Sequence, residues 1–497
     1  MKKLISLLVV ATMLLSLVPV SMIGVSAETD SQGVKYALSE DGTYYTVWGY
    51  SGSGTEIVIA AEIDGLPVKA IDNYVFLRCY DLTSVEFPNS ITTIGYSAFY
   101  DCTGLKSINI PASVTNIIET AFVGCTNLES ITVASENTTY KSVDNCLIEI
   151  ETKTLLYGCK NSIIPSDGSV TTIAQGAFFG CTGLTNIEIP DSVTIISEKA
   201  FGNCTNLQYN EYNNGIYLGN SNNPYILLVD ITSDDITSFT IHEETKIIGC
   251  GAFSMCTKLT SIDLPDSITC IGDSAFTCCN NLTDIELPDS LIYIGEYAFY
   301  CCTNLTSVVI PDSVEKVEGW AFAGCPGLTS VVIGSSVIGK YAFNCCPVLT
   351  SVVITDSVTT IEEGAFEGCG ELTSIEVPDS VENIEKSAFS FCTALTDIYC
   401  EAESQPEGWD TEWKKDCDAT VHWGSKAPET EKPIFGNIDG DNDVDSLDYL
   451  FVKRTVLNTY TLTAEQKSAA DIDKDGDVDS LDYLFVKRMV LGTYTVK

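Results

Sequence analysis

Two acidic loops toward the end of the chain hold the residues whose spacing most clearly does chemistry. Residues 443–454 read DVDSLDYLFVKR, and residues 477–488 repeat that string unchanged. In the first loop, positions 1, 3, 5, 7, 9 and 12 are Asn437, Asp439, Asp441, Asp443, Asp445 and Asp448. In the second they are Asp471, Asp473, Asp475, Asp477, Asp479 and Asp482. Calcium takes six to eight oxygen ligands, and this alternating spacing brings them round one ion. The expected cofactor is Ca2+, two ions, one in each loop. Gly476 sits where such a loop turns sharply, whereas the first loop has Asn442 there. Asn437 also removes one charge, so the first site is expected to be the weaker.

No comparable signal points to catalysis. The chain has no G-x-S-x-G, no H-E-x-x-H, no P-loop and no Gly-rich dinucleotide turn. Its two histidines, His242 and His422, have no motif around them and read as structural. Glycoside hydrolysis would need two carboxylates ~5–10 Å apart. Asp and Glu here recur with a repeat, which suits keeping a long sheet soluble and its edges unpaired. Catalytic residues are therefore expected to be none. Lys plus Arg number 26 against 68 Asp plus Glu, a net charge of −42. Nucleic acid is excluded as a partner, because its affinity is built on cations neutralising phosphates, and an anionic membrane surface is disfavoured likewise. With 45% hydrophobic and only 19% charged residues, this is not a disordered acidic polymer.

The elements that must position any site come from a repeat. Ala-Phe recurs at Phe99, Phe122, Phe178, Phe201, Phe253, Phe276, Phe299, Phe322, Phe343, Phe366 and Phe389, and Val75-Phe76 opens the series. Most spacings are 23 residues, one is 21, and two of 56 and 52 contain insertions. A fixed period in the twenties marks a solenoid, in which one unit cannot bury its apolar face and stacked neighbours do so together. In the unit of residues 94–117, Leu105, Ile108 and Ile110 form a short strand with one face inward, and Pro111 ends it. Val114 and Ile117 make a second extended piece, and the Phe99 ring fills the space between. Successive strands are expected to make one continuous parallel sheet at ~4.8 Å spacing.

These units resemble the BspA-like leucine-rich repeats, a bacterial family with the same Ala-Phe-x-x-Cys-x-x-Leu-x-x-Ile-x-Ile-Pro pattern, over about residues 60–424. The insertions at 135–170 and 209–246 resemble a longer repeat variant of that family. The resemblance implies a β-rich leucine-rich-repeat solenoid of about twelve repeats, with an N-terminal cap at 28–60 and repeats plus a C-terminal cap at 61–424. That C-terminal cap carries Trp409, Trp413, Cys417 and Trp423.

Twelve of the 21 cysteines fall three residues after the repeat's Phe, from Cys79 to Cys392, in one structural column. Side chains so stacked lie near the ~4.8 Å strand spacing, beyond the ~3.8 Å Cβ separation a disulfide prefers. Buried free thiols are expected, with Cys400 and Cys417 the one pair to watch for a bridge. Outward strand positions run Glu86, Asn109, Thr132, Glu188, Asp263, Glu286, Val309, Val332, Val353, Glu376, Tyr399. Val309, Val332 and Val353 make an exposed apolar stripe flanked by Glu286 and Glu376, and such a patch is a candidate ligand face. Valine also simply suits a strand.

Residues 435–497, two loops each followed by an apolar helix pattern and with Asp at position 12, closely resemble a type I dockerin, a small all-α calcium-binding domain. That resemblance implies a cohesin module of a scaffoldin as partner, and membership of a cellulosome. It assigns cohesin contacts to Ser446, Leu447, Lys453 and Arg454, and to Ser480, Leu481, Lys487 and Arg488. Leucine replaces the commoner hydroxyl residue at position 11, which suggests a different cohesin specificity. Identical halves predict binding in two orientations related by a half turn.

Residues 1–27 read as a secretory signal peptide: Lys2 and Lys3, an apolar run, and Val25-Ser26-Ala27 before Glu28. Residues 425–434 are a linker. The expected protein is secreted, cell-surface or cellulosome associated, off the membrane after cleavage, and a monomer. Its expected function is adhesion or recognition: the dockerin docks it and the repeat face holds a protein or cell-wall polysaccharide. The alternative, a cellulosomal polysaccharide-degrading subunit with an unrecognised active site, rests on association alone.

Overall fold

Every repeat alternates two short apolar segments with two tight turns, too short for any helix and suited to stacking. The computed structural model describes residues 27–426 and Ala470; residues 27–426 contain no helix, and the fold is a parallel β-solenoid. It divides into two compact units. One comprises residues up to 163 with 175–185 and 201–206, and the other comprises 164–174, 186–200 and the residues from 207.

In the first unit, strands Ala27–Thr29, Val34–Leu38 and Tyr45–Tyr50 form an antiparallel sheet. Tyr45–Tyr50 then pairs in parallel with Leu66–Ile71, which starts the ladder continued by Thr93–Ile94 and Asn116–Ile117. The first long insertion folds as three antiparallel strands, Tyr140–Val143, Cys146–Glu149 and Thr154–Tyr157. Phe76, Phe99 and Phe122 stack with ring centroids 5.0 and 5.2 Å apart.

In the second unit, a similar antiparallel meander (Asn210–Tyr212, Gly215–Leu218, Leu227–Ile231) leads into the longest ladder. There Ile248, Ile271, Ile294, Val317, Ile338, Ile361 and Ile384 lie in register on successive two-residue strands. Beside them run the rings of Phe253, Phe276, Phe299, Phe322, Phe343, Phe366 and Phe389, 4.9–5.6 Å apart and within 7° of coplanar orientation. All seven rings are fully buried. Trp413 closes the stack edge-on to Phe389 at 5.8 Å, and Trp409 Nε1 donates to the Val381 carbonyl at 3.1 Å.

The expected single sheet on the Leu-x-x-Ile-x-Ile strands is not what forms among the described residues. Those strands pair in short groups, such as Ser307–Ile310 with Ser330–Ile333 and Ser351–Ile354, or Ser374–Val377 with Asp397–Cys400 and Thr420–Trp423. The longest unbroken ladder, from Leu227–Ile231 to Asn383–Ile384, is instead the two-residue one beside the phenylalanines. Like charges explain one break: Asp263 and Glu286 occupy adjacent outward rungs, and like charges side by side oppose pairing.

Both turns that flank the Ala-Phe pair use left-handed backbone. Two residues before the Phe, Ser274, Tyr297, Trp320 and Tyr341 have φ of 56–59°; two residues after it, Met255, Cys278, Cys301 and Cys345 have φ of 55–67°. Glycine is the residue that adopts this region without cost, and it fills the first column at Gly364.

Candidate functional site

The calcium ligands predicted at Asn437, Asp439, Asp441, Asp443, Asp445, Asp448, Asp471, Asp473, Asp475, Asp477, Asp479 and Asp482 lie outside the described residues. So do the cohesin contacts Ser446, Leu447, Lys453, Arg454, Ser480, Leu481, Lys487 and Arg488, and the signal peptide but for Ala27. The donor chemistry fits the ion: each loop offers six oxygen-bearing side chains, nearly all anionic, at the alternating spacing a hard cation needs.

The strand face is described in full. Val309, Val332 and Val353 pair in register across three strands, as the sequence predicts. They are not an exposed stripe. Val332 keeps 5% of its surface, and Val309 and Val353 are half-buried. Three branched side chains at ~4.8 Å spacing shade one another, most of all the middle one. Glu286 and Glu376, which flank them in the sequence, are exposed.

Toward the C-terminal end the same row changes character. Glu376, Tyr399 and His422 lie side by side in register. The Tyr399 and His422 rings stack at 4.6 Å, and His422 Nε2 meets Asp397 Oδ1 at 2.7 Å. The Thr396 hydroxyl and His422 hold the Asp397 carboxyl below its ordinary range. Sequence reading passed over this cluster, because its members are adjacent only across strands; the shared strand position of Tyr399 and His422 was the available signal. The other histidine, His242, stacks on Tyr225 at 4.1 Å and accepts the Glu244 N–H at Nδ1, a packing role.

A second feature lies on the turns. Tyr297, Trp320 and Tyr341 stack along three successive repeats, with centroids 6.3 and 4.5 Å apart. A Cβ on Gly364 would stand 2.2 Å from the Tyr341 ring, so the end of the stack lies over bare glycine backbone. The Tyr341 hydroxyl donates to Glu363 at 3.2 Å, and Glu363 is paired with Lys386 at 3.0 Å. On the neighbouring edge, burial raises the carboxyls of Asp273 and Glu296 above their usual range. Nearby Glu198 and Glu318 add to both shifts, and Asp273 also raises Glu296.

Apart from the half-buried Cys79, the cysteine column is buried; it is unbridged, and all 21 cysteines are free. Its thiols donate to the Phe carbonyl of the preceding repeat: Cys102 to Phe76 at 3.0 Å, Cys279 to Phe253 at 3.1 Å, Cys302 to Phe276 at 3.2 Å. Burial pushes the Cys302 thiol up to about 12, so it is no nucleophile. Cys400 and Cys417, singled out for a bridge, are likewise free and buried. Among the described residues no group of three or more His, Cys, Asp or Glu could hold a metal, and no helix is long and apolar enough to cross a membrane.

The family described as BspA type Leucine rich repeat region (6 copies) matches residues 61–152, 148–222, 232–337 and 336–406. The chain belongs to the BspA-type leucine-rich-repeat family. The Dockerin type I domain matches residues 436–491, so this BspA-type chain also carries a type I dockerin. A leucine rich cell surface protein from Faecalibacterium prausnitzii A2-165 is 28% identical, with 66% of this chain and 95% of that chain covered and a TM-score of 0.30. A leucine-rich repeat protein from Bacteroides ovatus is 24% identical over 80% of this chain and 99% of that chain, with a TM-score of 0.29. One from Eubacterium ventriosum is 16% identical over 82% and 99%, with a TM-score of 0.28. Curated proteins give no match. BspA-type repeats and dockerins are binding modules rather than catalytic ones. A dockerin implies calcium, a cohesin partner and a place in a cellulosome; both modules are typical of extracellular or cell-surface proteins.

Proposed function

We propose that this BspA-type protein is an exported, non-catalytic recognition subunit. Its dockerin seats on a scaffoldin cohesin with calcium in both loops, and the outward face of its repeat strands holds a protein or cell-wall polysaccharide. The observation that carries this reading is the coupling of a dockerin at 436–491 to a repeat array whose outward row departs from its own pattern. Along that row, packing leaves the residues free to differ, and they pass from three valines to Glu376, Tyr399 and His422. Aromatic and charged side chains left partly open on a rigid sheet are what recognition uses. Because Val332, the middle of the valine row, is buried, whereas Tyr399, His422 and Asp397 each keep part of their surface and carry polar atoms, that cluster is the better centre for the ligand face, with the exposed Glu376 beside it.

Two arms test the reading with the full chain. Cohesin capture should be lost in a chelator and restored by calcium, and should survive Ser446/Leu447→Ala or Ser480/Leu481→Ala alone but not both together. Depletion by insoluble plant cell wall, measured separately, should be lost in Tyr399→Ala/His422→Ala. Capture that ignores the chelator sinks the dockerin arm; depletion unchanged in the double variant sinks this ligand face.

A further inference from the structure

We propose that Cys278 and Cys301 form a surface dithiol that closes reversibly into a disulfide between two adjacent repeats, with a small organic disulfide as the oxidant. The two residues sit one position before the buried column, at the left-handed turn two residues after Phe276 and Phe299. The difference of one position separates two kinds of thiol. Cys279 and Cys302 are buried and each donates to a carbonyl, whereas Cys278 and Cys301 are half-exposed on adjacent repeats, where the Cys278 N–H donates to the Tyr300 carbonyl at 2.8 Å.

The spacing admits a bond. The rings of Phe276 and Phe299 lie 5.1 Å apart and within 3° of parallel, which measures the rise between these two repeats. Disulfides take Cα separations of about 4.4–6.8 Å. The inner column shares that rise, but its sulfurs are pinned between buried backbone on both sides. At the outer position the next repeat has Gly324, and a Cβ there would stand 3.2 Å from the Cys301 sulfur. The missing side chain leaves that sulfur free to rotate. Bonding still requires the Cβ atoms to draw in toward ~3.8 Å, so the bridge stores strain, and a strained, exposed disulfide is readily reduced again.

The exchange balances. A thiolate of the pair attacks one sulfur of the oxidant R–S–S–R and expels one R–S⁻, leaving a mixed disulfide. The second cysteine, as thiolate, attacks the protein sulfur of that bond and expels the second R–S⁻. One S–S bond forms and one breaks, and the two cysteine protons end on two R–SH. Cys345 supplies an internal comparison. It is exposed at the same turn position, but Gly324 and Gly368 occupy that position in its neighbours, so it can only hold a mixed disulfide.

The reduced full chain is incubated, native, with oxidised glutathione, remaining thiols are alkylated, and peptides are mapped by mass. The expected map links the Cys278 and Cys301 peptides, places glutathione on Cys345, and finds the buried column unreacted. In Cys278→Ser, glutathione should appear on Cys301 instead. Glutathione on both Cys278 and Cys301 without a link, or reaction at Cys345 with both left unreacted, overturns the proposal on the unmutated chain alone.

Discussion

The turn side and the strand side of the repeat use sequence differently. On the turn side of the second unit, seven phenylalanines stack within a fraction of an ångström of one spacing, and a cysteine in each turn is buried beneath them. Each such residue is dictated by the one above and below it, because a different shape would leave a void or a clash. On the strand side the outward row reads Asp, Glu, Val, Val, Val, Glu, Tyr, His, and only neighbour shading constrains it. What repeats is packing; what departs from the repeat is free for recognition.

The comparison breaks first at its strongest point. Phe299→Ala should cost about 3–5 kcal/mol, because a fully buried ring is lost from between two others and the cavity cannot collapse along a rigid stack. Its counterpart on the strand side, Val309→Ser, should cost under about 1 kcal/mol. Chemical denaturation of the full chain, followed through the repeat transition, measures both, and equal midpoints would erase the distinction. Cys302→Ala comes next, at about 1–2 kcal/mol for a lost thiol and its small void. The loss is limited because the Phe276 carbonyl it serves also accepts the Cys279 N–H at 3.1 Å.

These magnitudes follow what was legible in the chain. The period places Phe99, Cys102, Leu105, Ile108 and Ile110 on the inside, and all five are buried. Strand alternation likewise assigns Val332 to the outward face. Alternation names a face but not its exposure, which depends on residues 21 and 23 positions away on the neighbouring strands. The long run of the two-residue ladder was hidden for a similar reason, since each such strand is too short to show a period of its own. The left-handed turns did leave a mark. Gly364 and Gly251 stand where Tyr297, Trp320 and Tyr341 stand in other repeats, and a column mixing glycine with large rings is one where the backbone, not the side chain, is specified.

Trp320 therefore sharpens the comparison at the turn surface. Its φ of 59° is a cost of about 1 kcal/mol for a bulky residue, against which it gains stacking on Tyr297 and Tyr341. Trp320→Gly relieves the first and forfeits the second, so the denaturation midpoint should move by less than about 1 kcal/mol in either direction. A loss as large as that of Phe299→Ala would place this stack with the core instead of with the surface.

The smallest expected effect is electrostatic and depends on pH. Burial raises the carboxyl of Asp273, and Glu198 and Glu318 add to it. A carboxyl raised in the folded state holds its proton to higher pH than in the unfolded chain, so folding takes up protons. Ionised Asp273 thus subtracts stability at neutral pH, and the deficit disappears as pH falls through its raised folded value. Asp273→Asn keeps an oxygen to accept the Glu296 N–H, now met by Asp273 Oδ1 at 2.9 Å, while removing the charge. It should stabilise the chain at pH 7 by about 0.5–1 kcal/mol, on the scale of partly exposed charge interactions. The gain should vanish in acid. Asp397, whose carboxyl is lowered by Thr396 and His422, runs the other way: its contribution is present above the unfolded pKa and is lost as pH falls through the lowered folded value. Asp397→Asn should therefore lose stability at neutral pH, again with no difference left in acid. Two carboxylates of one repeat array would then respond to the same acidification with opposite signs, and thermal unfolding at neutral and acid pH distinguishes them. Equal signs would mean that net charge, and not local environment, sets the response.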